Sequence, residues 1–519
     1  MGGVTQKKQT NSMKLLVSTV VLAALGCAAL AQTITNGPEQ SVPWDKGHSE
    51  MLGSDGTHLF VLHDNDVMTN TRVELQIYDM AGNLANTTDL VPPGSEGVMG
   101  DSKLYRKSVF GGGHVLKFSE GWKKAGKMSS YLVQTAGSDG SMSDYTTLVE
   151  GPAAGQMRAP NYYPVVSPDG SKLGILTAFG FEKNTNAKVE AAVFDARTLE
   201  KIWEKSIDLQ IPSQKGKVYE FAIDNNGNAY IHRNAKIEKK VFEQLIYTTD
   251  GKRVKKLQVA KDRAYMNASI FGHDAAGNVV FAGLCGPKNA KRYDAVFFAH
   301  FDSGSREMTG SKTTDSPTIA KPGTSSSGQY EVKLIDIVAM DGATVVLAEE
   351  QFRAMKSVEG APGTYNYTYE KGRVLLMGFD NSGSRLWENT IDKASTIRTT
   401  EYDPGFDGFG YGVVGGKLHL VYNILDIRFP FTDNDGRTYR MREEFGAYAT
   451  QPAFLEVLDA KGAKQHAQLK YGKPLVSLTY TNTSYMGLYP GAVVATPAGL
   501  AYMQRSKAPG KCRVGIVAP

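Results

Sequence analysis

An all-β chain built from repeated four-stranded units is what the sequence predicts, on three observations. First, a glycine turn between two apolar strands recurs eight times. It falls at Gly56 ("LGSDGTHLFVL"), Gly113, Gly170 ("VVSPDGSKLGIL"), Gly227, Gly277, Gly342, Gly416 and Gly499. The spacings are 57, 57, 57, 50, 65, 74 and 83 residues, and three equal intervals in succession mark a structural repeat. Second, another element recurs between these turns: an apolar strand, then Asp, then a Gly-containing turn. Clear copies are "LQIYDMAGNL", "FFAHFDSGS" and "FLEVLDAKGAK". Third, the composition agrees. The chain carries 55 glycines, 25 tyrosines and 21 phenylalanines, which suits many strands joined by tight turns.

Each unit therefore holds two hairpins in sequence. A four-stranded sheet cannot bury both faces alone, but stacking such sheets around an axis does so. The expected fold is a single β-propeller of eight four-stranded blades, with seven blades the next choice. Two successive β-sandwiches would share the strand count, but the regular turn pattern argues against them. After the eighth inner hairpin only "CRVGIVAP" remains, one strand short of a blade. The segment near Gln32–Glu50 is expected to supply that strand and close the ring, which removes the edges a linear array would expose.

The N-terminus has its own pattern. In "MKLLVSTVVLAALGCAALAQ", Lys14 is followed by an apolar run and then Ala29-Leu30-Ala31. A basic start, an apolar core and an A-x-A site describe a secretory signal peptide. Residues 1–31 are thus expected to be cleaved and 32–519 to form the propeller. The apolar run is short for a transmembrane anchor. Leu25-Gly26-Cys27 also fits a lipobox, with lipid on Cys27, although Ala24 stands where such motifs usually carry leucine. The expected location is the periplasm, the outer membrane surface or the extracellular space, with no membrane span. Lys7, Lys8 and Lys14 precede the cleavage point and no acidic residue does, so the formal charge falls from +5 to +2. That is no footprint for nucleic acid. Cys285 and Cys512 remain after cleavage, too few for a disulfide framework, and buried free thiols are expected.

The units lengthen toward the C-terminus. Residues 350–372 form an insertion between the second and third strands of blade six, and residues 423–453 one in blade seven. "KTTDSPTIAKPGTSSSGQ", 312–329, reads as a polar linker between blades five and six.

The stretch "VSPDGSKL" resembles the PD40-type repeat of WD40-like propellers found in exported bacterial proteins. "FDARTLEKIW" and "FDNSGSRLW" resemble the tryptophan-docking repeat of the pyrroloquinoline-quinone type propeller. There the Asp and Gly shape a turn and the Trp packs on the next blade. Asp195, Thr198 and Trp203 match one copy, with Leu199 where Gly is expected; Asp380, Gly383 and Trp387 match another. About residues 345–423 also resemble a large group of exported propellers of Bacteroidetes-like bacteria. That resemblance implies architecture and export, since the group shares no activity.

Motifs for chemistry are sparse. No H-E-x-x-H, no paired His/Cys at metal spacing and no G-x-S-x-G elbow occurs. His58 and His63 read as structural residues. "TDNDGRTYRMREE" places Phe431 and Arg442 where a calcium loop needs oxygen ligands. A quinone-dependent dehydrogenase would carry an adjacent cysteine pair, which this chain lacks. No cofactor or metal is therefore expected. A carbohydrate-active site needs two carboxylates across a cleft. Glu349, Glu350, Asp407 and Glu443 are available, and nothing singles out a pair.

The insertions carry the functional expectation. They offer Tyr365, Tyr367 and Tyr369, then Arg428, Phe429, Phe431, Tyr439, Arg440 and Arg442. Aromatics with arginine are enriched at interface hot spots. The alternation in "YNYTY" is equally what a plain strand would show. The expected role is a non-catalytic binding scaffold for a protein partner or a surface glycan. The alternative is an enzyme, carbohydrate-active or quinone-dependent, with its site in the central funnel near Tyr162, Glu220, Asn267 and Asp407.

Overall fold

The computed structural model describes residues 34–41, 48–64, 72–91, 103–123, 126–153, 159–214, 219–238, 241–259, 265–286, 293–323, 329–357, 365–393, 395–399, 408–423, 431–432, 438–439, 453–469, 486–506 and 511–518. They form an eight-bladed β-propeller. Blades one to seven span 48–91, 103–152, 161–212, 220–259, 265–315, 331–391 and 409–468, each with four antiparallel strands in sequence order. Blade eight takes three strands from 486–517 and its fourth, Ile34–Asn36, from the N-terminus. That strand pairs with Lys511–Val517 in the register Ile34↔Val517 to Asn36↔Gly515. The ring closes where the strand arithmetic requires.

The inner strands touch in a closed cycle, each first strand contacting the first strand of the next blade and the eighth returning to the first. Eight hydrophobic clusters lie in the eight seams between neighbouring blades. This explains the sequence pattern. Middle strands are covered on both faces and read as unbroken apolar runs; Val279–Gly286 is buried throughout. Fourth strands keep one face in water and alternate, as Lys201–Pro212 does.

All eight glycines of the inner hairpin turns have positive φ, from +71° to +140°, the left-handed region that a Cβ disfavours. Leu199 adopts φ +61° in its turn, so the position where the resembled repeat carries glycine does need a left-handed residue. Both repeat tryptophans dock forward. Trp203 of blade three donates from Nε1 to Gly227 O of blade four (3.0 Å), and Trp387 of blade six donates to Ala460 O of blade seven (2.8 Å).

One expectation changes in detail. Residues 312–315 belong to the outer strand Met308–Asp315 of blade five, followed by one helical turn, Pro317–Ala320, capped by Ser316. Only 324–328 of that proposed linker lie outside the described residues. As expected, Cys285 and Cys512 are both buried, and neither is in a disulfide. The signal-like segment and Cys27 lie outside the described residues, among which no helix is long and apolar enough to cross a membrane.

Candidate functional site: the arm of blade six

Of the 350–372 insertion, residues 350–357 and 365–372 are strand. The second strand of blade six runs for 15 residues, Ala343–Ser357, and the third for 15, Tyr365–Phe379. They stay paired outward from Phe352↔Glu370 through Arg353↔Tyr369 and Met355↔Tyr367 to Ser357↔Tyr365. Ser395–Thr399 adds a third strand on the other side, with Tyr369 opposite Ile397 and Tyr367 opposite Thr399. The result is a three-stranded arm. At about 3.3 Å per residue it extends about 20 Å beyond the blade.

A charged clamp holds its base. Glu350 is buried and accepts from Arg373 Nη2 (2.6 Å), Arg373 N (3.1 Å) and Gly323 N (2.7 Å). On the same strand, Glu349 lies 2.7 Å from Lys393 Nζ and accepts from Gln351 Nε2 (2.7 Å). Both carboxylates are thus neutralised by fixed cations. They anchor the arm, and neither is an open acid of the kind a glycosidase pair requires.

Farther out the arm meets water. Met355 is 57% exposed. The Arg353 guanidinium lies 5.7 Å from the Tyr369 ring centroid, a cation–π contact. The first strand of the blade covers the second only as far as Glu331↔Gln351. Beyond that, among the described residues, no strand pairs with the outer edge of Phe352–Ser357. Of the candidate aromatics, Tyr365, Tyr367 and Tyr369 therefore belong to the arm's central strand. Phe431 and Tyr439 face each other in a separate two-stranded sheet. Arg428, Phe429, Arg440 and Arg442 lie outside the described residues.

Of the funnel candidates, Tyr162 and Glu220 have described side chains. Tyr162 donates to Ser129 Oγ (3.1 Å) and stacks on Tyr131 (4.7 Å between centroids). Glu220 is held above the usual carboxylate range by burial. Asp407, Glu443 and the side chain of Asn267 lie outside the described residues. Among the described residues no three His, Cys, Asp or Glu side chains converge as a metal site would need.

Two buried ladders repeat the same chemistry. Ser49 Oγ lies 2.9 Å from His63 Nδ1, and His63 Nε2 lies 3.0 Å from Gln76 Oε1. Across blades four and five, Ser269 Oγ, His232 and Gln244 Oε1 repeat it at 3.2 and 3.0 Å. Burial pushes His63 down to about 3 and His232 to about 4. Ser49 is wholly buried, so that ladder is a satisfied core network and not a nucleophile site.

Sequence reading passed over one group: Arg233 with Tyr163 and Tyr219. A signal was present. Arg233 interrupts the apolar row Ala229, Ile231, Ala235 at the period of a strand.

No protein-family model matches the sequence, and no curated protein matches it. Solved structures similar in fold include the β-propeller domain of the Trilobed protease from Pyrococcus furiosus, described as having an open velcro topology. It has a TM-score of 0.39 and 12% identity, over 85% of this chain and 100% of that one. The WD40 domain of SCAP from fission yeast follows at TM-score 0.38 and 10% identity, over 94% of each chain. Oligogalacturonate lyase in complex with manganese gives 0.34 and 10%, over 94% of this chain and 96% of that one. The propeller architecture of this chain rests on its own eight four-stranded blades.

Proposed function

We propose that the chain is an exported, non-catalytic scaffold that binds a protein partner through the arm of blade six. The observation that carries this reading is the outer edge of Phe352–Ser357, which no strand among the described residues pairs. An unpaired strand edge offers a row of backbone donors and acceptors, and a partner's extended segment can pair with it. Arg353, Met355 and Tyr369 supply the side-chain types that interfaces favour beside such an edge. The eight-seam ring behind it is a rigid mount, which lowers the ordering cost of binding. Export rests on the Met13–Ala31 pattern and on the resemblance to exported propellers.

The test replaces Arg353–Tyr369 by Asn-Gly, a two-residue turn that joins Phe352 to Glu370 and leaves the Glu350–Arg373 clamp in place. Envelope extract is passed over the mature chain and over this variant. A protein captured by the mature chain and lost by the folded variant supports the reading. Equal capture by both removes the arm from the function. A glycan retained through Tyr365, Tyr367 and Tyr369 would replace the protein partner by a surface polysaccharide.

A further inference from the structure

Arg233 sits in the seam between blades three and four and is only 1% exposed. Its face is otherwise apolar: Ile231, Ala235, Leu245 and Tyr247 belong to the hydrophobic cluster of that seam. Two buried cations show the usual arrangement: Lys393 has Glu349, and Arg306 has Asp250 at 3.0 Å. Arg233 has no acid among the described residues. Its Nε and Nη1 are buried with no hydrogen-bond partner. The groups that favour its charge are the tyrosines Tyr219, Tyr163 and Tyr247, and no carboxylate is among them. The Tyr219 ring centroid lies 4.5 Å from the guanidinium carbon, and Tyr163 meets Tyr219 edge-to-face at 6.3 Å.

An arginine cannot escape this situation by losing its proton. Desolvating an ionised guanidinium costs more than one ring returns, and each unbonded donor adds to the cost. The missing element is an anion. We propose that Arg233 anchors a subsite for a carboxylate in this seam, walled by the rings of Tyr163 and Tyr219. A carboxylate matches the planar donor fork of a guanidinium, and an aromatic wall suits a carboxylate borne on a ring. Tyr163 is only half-buried, so its ring is the part of this group that meets solvent, and ligand entry is proposed there. The subsite is independent of the arm of blade six.

Calorimetric titration of the mature chain with glucuronate, acetate and glucose tests this. Glucuronate carries ring and carboxylate, acetate the carboxylate alone, glucose the ring alone. The expected result is one glucuronate site with a Kd of about 1 mM or tighter, weaker uptake of acetate, and none of glucose. R233M should lose at least tenfold in glucuronate affinity with an unchanged circular dichroism spectrum. If R233M does not fold, R233K carries the test; it keeps the charge and loses the fork, and should also bind at least tenfold more weakly. No uptake by the mature chain, glucose binding as well as glucuronate, or a folded variant that binds as the parent does would each overturn the proposal.

Discussion

Lys393→Met isolates the base of the arm. The Glu349 and Lys393 side chains are 2% and 0% exposed and 2.7 Å apart. Removing the ammonium leaves a buried carboxylate with Gln351 Nε2 as its remaining neighbour of the pair. Breaking a buried ion pair at one end costs about 3–5 kcal/mol, because the surviving charge keeps its desolvation penalty. The roughly 370 described residues alone unfold with an entropy near 0.8 kcal/mol per kelvin, so the expected fall in Tm is about 4–6 °C. Replacing both partners, with Glu349→Leu added, removes the uncompensated charge and should recover most of the loss, to within about 1.5 kcal/mol of the parent. Guanidinium denaturation of the parent, both single variants and the double variant closes the cycle. A Lys393→Met chain within about 1 kcal/mol of the parent, or a double variant no better than the worse single, would refute a buried clamp.

Three further outcomes are expected. Gly462→Ala should cost about 2–4 kcal/mol by denaturant titration. Its φ is +80° and the new Cβ would meet the Trp387 ring at 2.8 Å, whereas Gly415→Ala, at φ +56° with open space around it, should cost only about 1. Removing residues up to Gly37 strips the closing strand, the Gly37 N to Val514 O bond (2.9 Å) and the Asn36 acceptor of the Tyr502 hydroxyl (2.7 Å). The loss should be about 2–4 kcal/mol, with concentration-dependent association in size-exclusion chromatography through the bared edge of Lys511–Val517. Stability should depend on pH through His63 and His232. Both are held neutral in the fold, at about 3 and about 4, against 6.5 when unfolded. The unfolded chain therefore binds more protons below pH 6.5, and their contribution is complete above that value and lost as pH falls toward 3–4. Each adds a slope of up to about 1.4 kcal/mol per pH unit in that window; His63→Gln should flatten the slope by its share in denaturation series from pH 7 to 4.

The architecture was legible because it rests on short-range pattern. A hairpin needs glycine where φ turns positive, and all eight inner turns announce themselves by Gly56, Gly113 and their successors. Strands covered on both faces must be apolar throughout, so runs such as Val279–Gly286 read as blade interiors. The last blade, one strand short, called for the N-terminal strand that Ile34–Asn36 supplies. Tryptophan docking was legible too, since Trp203 and Trp387 reach a turn on the very next blade.

What only the tertiary structure decided is which charges are matched and which edges are open. Residues 350–372 have a strand's alternation and a loop's glycines, and pairing with Ser395–Thr399 is what makes them an arm. Glu349 and Glu350 are adjacent in sequence yet meet different cations, Lys393 from the connection after Arg385–Ile391 and Arg373 from the neighbouring strand. Arg233 looks like any basic residue on a basic stretch until blade three closes over it. Charge compensation is a property of three-dimensional neighbours, and the lone sequence carries the charge without the neighbour.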